Sequence, residues 1–155
     1  MTRHRAIEGL RHAVPCPRPD TIPQQRPRGS KAAGLRYERT VAKALPHAVH
    51  SPWYHFIDNN GRGHCNPDLT IDLGDCIAVL ECKLTDTWQA YAQIRELYAP
   101  VLRLAHQVPV IGVVVVHNLS PRTDRMLICT SLAEALVRAR GGELPLLHWL
   151  GSGPI

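Results

Sequence analysis

Residues 110–116 read VIGVVVV, a run without one polar side chain. A strand covered on one face alternates polar and apolar residues, because successive side chains point to opposite faces. An unbroken apolar run needs cover on both faces, which is the position of an interior strand in a sheet with helices on either side. The chain has 155 residues, enough for one domain, and 45% of them are apolar. That is ample for a core and excludes wholesale disorder. The longest apolar stretch, Val108–Val116, contains Pro109 and Gly112. It is far shorter than the roughly 18 residues that a membrane span requires, so no membrane partner is expected.

The elements around that strand follow from pattern. Ser30 is a plausible cap for a helix over 31–46, with Leu35, Glu38, Ala42 and Leu45 on one stripe and Pro46 at its end. Trp53–Ile57 reads as a strand, and the Asn- and Gly-rich segment 59–63 as a loop. Asp68–Leu73 alternates, Gly74-Asp75 suits a two-residue turn, and Cys76–Lys83 returns. Residues 86–106 have helical periodicity, with Pro100 expected to kink or divide them. Ser131-Leu-Ala-Glu134 has capping-box spacing and opens a helix that Gly141-Gly142 ends; a short strand over 146–150 follows. The step from 76–83 through a helix to 110–116 is a βαβ crossover, so those two strands should be parallel. The expected fold class is α/β, a mixed sheet flanked by helices.

Residues 1–30 differ in character. Arg3, Arg5, Arg11, Arg18, Arg26 and Arg28 face only Glu8 and Asp20, so this segment carries +4 of the net +5. It also holds five of the 13 prolines. It reads as a flexible basic arm, drawn to a polyanion, ahead of a folded domain over 31–155. The five cysteines show no CxxC spacing, and the N-terminus has no apolar leader. A reducing, cytoplasmic setting is expected.

The hairpin carries the chemistry. With 74 and 75 as loop residues, Leu73 faces Cys76, Ile71 faces Ala78 and Asp68 faces Glu81. Opposed Cβ atoms lie about 4.5–5.5 Å apart, and Lys83 falls on the face of Glu81. Two carboxylates about 5 Å apart repel by roughly 3 kcal/mol at an effective dielectric near 20. A divalent cation between them removes that cost, and hard oxygen ligands suit Mg²⁺ or Mn²⁺. Lys83 would orient an attacking water or neutralise developing negative charge. Glu38, on the sheet-facing stripe of the first helix, needs a partner there. The bland alternatives are a turn role for Asp68 after Asn66-Pro67 and a solvated charge pair for Glu81 and Lys83.

Pro67-Asp68 followed by Glu81-Cys82-Lys83 resembles the motif of the PD-(D/E)XK nuclease superfamily. Its core of a helix, a three-stranded meander, a helix and a further strand is similar to the reading of residues 31–117. The resemblance implies that Asp68 and Glu81 bind Mg²⁺, that the Cys82 backbone carbonyl adds a ligand, and that Lys83 assists the water. It implies a site role for Glu38, also a possible metal ligand. Gln93 would position Lys83 or substrate, with Gln89 one turn earlier as its competitor. It implies DNA as substrate, with RNA the alternative, and structure- or end-selective cutting in recombination or repair. The small junction-resolving members have about this size and act as homodimers. Leu97 and Tyr98 depart from the Gln-plus-four Tyr spacing of the RecB-like branch, so that branch is not assigned. Arg62 and His64, beside Gly61 and Gly63, and Arg26 and Arg28 in the arm are the expected nucleic-acid contacts. His64-Cys65 and His47 with His50 fit no common zinc spacing. The reading from another class is a binding module without activity, or a tethered subunit of a larger DNA-processing complex.

Overall fold

A computed structural model describes residues 6–23, 27–85, 88–120 and 127–155. Its centre is a six-stranded mixed sheet in the order β2-β5-β6-β7-β9-β8. These strands are β2 (Val49–His50), β5 (Leu69–Asp72), β6 (Ile77–Thr85), β7 (Val110–Asn118), β8 (Ile128–Cys129) and β9 (Leu146–His148). β2, β5 and β6 run antiparallel in turn, whereas β6, β7, β9 and β8 are mutually parallel. The expected α/β class and the parallel crossover from β6 to β7 are both present.

The apolar run of β7 is interior, with Val113–Val116 fully buried. On one face lie α1 (Ser30–Ala44) and α4 (Leu132–Arg140), which pack Tyr37, Val41, Ala135 and Ala139 against Leu80, Val113 and Val115. On the other lie α2 (Trp88–Gln93) and α3 (Ala99–His106), which pack Tyr91, Val101 and Leu102 against Val79, Val114 and Val116. A second, three-stranded sheet of order β1-β3-β4 stacks outside α3 through Ala13, Tyr54 and Phe56. Its strands are β1 (His12–Cys16), β3 (Trp53–Asp58) and β4 (Gly61–Cys65).

Four expectations need correction. The buried stripe of α1 centres on Tyr37 and Val41, with Glu38 and Ala42 beside it. Ser30 is the first helical residue, not the cap. The segment 59–63 is not a loop: Asn59-Asn60 turns β3 into β4, and Gly61 takes the positive φ of 101° that closes the hairpin. Gly and Arg in β4 hid a strand because the partner strand β3 supplies most of the apolar side chains of the pair.

The largest correction concerns the arm. Residues 12–16 form a strand paired with β3 over Trp53–Ile57, and Ile7 and Leu10 pack on the core. Pro100 explains part of this. Proline has no N–H to donate to the carbonyl four residues back, that of Glu96. Residues 94–98 widen into a π turn that joins α2 to α3 without a break. The Glu96 carbonyl instead accepts from the Ile7 N–H at 3.3 Å. The N-terminal segment therefore offers this carbonyl a donor where proline has none. Pro15, which donates nothing to a ladder, is tolerated because β1 is an edge strand.

Candidate active site

The β5–β6 hairpin has the register that the turn dictates. Leu69 pairs Leu80, Ile71 pairs Ala78 and Asp72 pairs Ile77, with Gly74 at φ 88°. The Leu73 N–H donates to the Cys76 carbonyl, so the pairs 73–76, 71–78 and 69–80 are the hydrogen-bonded ones. Asp68 and Glu81 then fall on a non-hydrogen-bonded pair, where side chains approach most closely. The next hydrogen-bonded position would match Pro67 with Cys82.

Pro67 has no N–H, so β5 offers nothing to the Cys82 carbonyl. The Cys82 N–H, on the same edge, donates to Asp68 Oδ2 at 2.8 Å. A residue in an extended strand directs its N–H and C=O to the same side. The Cys82 carbonyl therefore projects to the edge that Asp68 occupies. Proline before Asp68 frees one backbone oxygen of β6 and lets the aspartate side chain replace the ladder on the other atom.

Glu81 is 1% exposed. Lys83 Nζ stands 3.2 Å from its Oε1, and Glu81 Oε2 is buried with no hydrogen-bond partner among the described residues. Burial drives the Glu81 carboxyl well above the carboxylate range, and the Asp68 charge adds to that; Lys83 opposes it. Asp68 is also raised by burial, against the pull of the Cys82 N–H and Lys83. Glu38 comes from α1 at the end of the sheet. Burial and then Asp68 raise it to about 8. Its Oε1 lies 3.0 Å from His50 Nε2, on β2. Its partner is thus a histidine whose spacing in the sequence raises only the question of zinc. A strand of two residues leaves no periodicity by which its placement could be read.

Gln93 is buried at 4% on α2, in the layer covering the Glu81 face. Gln89 is exposed. Arg62 and His64 lie on β4 in the second sheet, not among the carboxylates. Arg28 is exposed just ahead of α1, and Arg26 lies outside the described residues. Cys65 is fully buried, its thiol pushed up to about 12 by burial.

Among the described residues no three His, Cys, Asp or Glu side chains close into a metal-binding group. What a divalent cation would meet is a pair of carboxylates and a backbone carbonyl. The orphaned Glu81 oxygen fits that role: a buried acceptor left unmet costs about 1–3 kcal/mol, more when charged. No family model, characterised protein or solved structure matches the chain.

Proposed function

We propose that this chain is a Mg²⁺- or Mn²⁺-dependent nuclease that hydrolyses DNA phosphodiester bonds. The observation that carries the reading is the facing of half-buried Asp68 and buried Glu81, with Lys83 3.2 Å from Glu81. Two carboxylates that burial holds above their ordinary range, Glu81 further by the Asp68 charge, form a site awaiting positive charge. Asp68, Glu81 and the Cys82 carbonyl would hold the cation, with Glu38 at its margin. The cation supplies Lewis acidity toward the phosphoryl oxygen and the attacking water. Lys83 holds a proton at Nζ, orients the incoming water and offsets charge that develops on the phosphoryl group. Buried Gln93 supports the helix layer that keeps Lys83 and Glu81 in place. The order α1, β2, β5, β6, α2–α3, β7 fits the PD-(D/E)XK resemblance only with β2, not the expected Trp53–Ile57, as first strand of the meander; Trp53–Asp58 belongs to the second sheet as part of an inserted β3–β4 hairpin.

The test is cleavage of plasmid and branched DNA. Wild type should cut with Mg²⁺ or Mn²⁺ and stop with EDTA. Asp68→Ala and Lys83→Ala should each lose at least about 10²-fold in rate, the scale of one missing charge-stabilising group. Both should keep the wild-type circular dichroism spectrum. Undiminished cutting by folded variants would refute the assignment. Cleavage rates on linear, nicked, flapped and four-way DNA would then rank the structure selectivity, and sedimentation would test for a homodimer.

A further inference from the structure

The outer face of the three-stranded sheet has a composition that the catalytic reading does not use. Strand alternation sends Ala13, Tyr54, Phe56 and Cys65 inward. The opposite set includes His12, Trp53, His55, Arg62 and His64, all exposed or half-buried. Register places His55 opposite His64, and Ile57 opposite both His12 and Arg62. The histidine rings lie side by side, with centroids 5.9 Å apart for His12–His55 and 5.2 Å for His55–His64. The Arg18 guanidinium stands over Trp53 at 5.7 Å. No side chain that these strands send to this face is acidic. His55 is held below the usual histidine range by burial, then by His64, His12 and Arg62.

The face also leads to the catalytic carboxylates. Trp53 follows Pro52, whose carbonyl accepts from Asn66 Nδ2 at 2.8 Å, and the Ser51 N–H donates to the Asp68 carbonyl at 2.7 Å. From Trp53 to the Ile57–Arg62 pair the strand runs about 13 Å, at roughly 3.3 Å per residue.

We infer that this face, from Arg18 and Trp53 to Arg62 and His12, binds an unpaired stretch of the DNA substrate and feeds it to Asp68 and Glu81. Flat aromatic rings accept unstacked bases, and the cations meet phosphates. A duplex keeps its bases stacked inside and leaves the rings nothing to receive. The inference rests on the proposed nuclease reading, and the experiment separates the two.

Binding of fluorescent dT20 is measured by anisotropy in EDTA, for wild type and for Arg18→Ala/Arg62→Ala. Wild type should prefer dT20 over a 20-base-pair duplex. The double variant should bind dT20 at least tenfold more weakly. Its log–log salt slope should shrink by about 1.4, roughly 0.7 for each phosphate that no longer meets an arginine. A dissociation constant unchanged within twofold, or a duplex bound as tightly as dT20, overturns the inference. Wild-type hydrolysis of bis(p-nitrophenyl) phosphate with Mn²⁺, a substrate too short to span the face, reports separately on the carboxylates. Hydrolysis with face-independent dT20 binding defeats the face alone. Face-dependent dT20 binding without hydrolysis of bis(p-nitrophenyl) phosphate, or of dT20 once Mn²⁺ replaces EDTA, defeats the nuclease reading alone.

Discussion

At the residue scale the decisive positions are few. Glu38 shows how burial becomes a solution property. Its ordinary carboxyl value of 4.5 is raised to about 8 in the folded chain, by burial first and Asp68 second. Above pH 4.5 the unfolded chain releases that proton while the folded chain retains it. Stability therefore falls with rising pH across the window from about 4.5 to 8. The melting temperature of metal-free wild type should drop between pH 5 and 8, and Glu38→Gln should flatten that slope. Parallel curves for the two proteins would show that Glu38 does not carry the effect. The Asp68–Glu81 register was legible in the sequence because a two-residue turn fixes all later pairs arithmetically. The His50 partner of Glu38 was not, because it depends on where β2 meets β5. The role of Pro67 emerges only once the ladder is known: the sequence offers proline as a turn signal, whereas the register makes it a missing donor.

At the scale of elements, Gly112 sits in mid-strand, where glycine weakens a sheet by roughly 0.5–1 kcal/mol relative to alanine. Its reason is a neighbour. A Cβ at 112 would collide with Cγ2 of Ile94 and come within 3.0 Å of Leu144 Cδ1. Ile94 opens the π turn and is 2% exposed. A branched carbon next to the helix backbone has little freedom to move aside. Gly112→Ala should thus destabilise by about 1–3 kcal/mol despite its better strand propensity. Ile94→Ala, itself costly, should make the second change at 112 nearly harmless. Urea titrations of the two single variants and the double variant would measure this coupling, and strictly additive effects would contradict it. The βαβ step was readable from the hydrophobic run of β7 and the periodicity before it. The unbroken passage through Pro100 was not, since proline alone signals a break. The donor that reaches the Glu96 carbonyl where Pro100 has none comes from a distant segment, at Ile7.

At the scale of the whole molecule, the N-terminal segment changes meaning. Its arginines and prolines read as a solvated arm, and its apolar residues, Ile7, Leu10 and Ala13, are too sparse to show a period. Yet β1 pairs with β3 over five positions and packs against α3. Removal of residues 1–16 should therefore lower the melting temperature by several degrees at least and expose Tyr54 and Phe56, which a rise in binding of a hydrophobic dye would report. A truncated chain with wild-type thermal stability would restore the arm interpretation. The Ile7–Glu96 hydrogen bond has a further consequence in time. Residues 7–16 have partners at Trp53–Asp58 and at Glu96, which leave the ribosome much later than they do. At about 5–20 residues per second, roughly 90 residues take several seconds to synthesise. For that interval residues 7–16 stay unsheltered, and the basic, proline-rich sequence that resembled a tail is well suited to wait without aggregating.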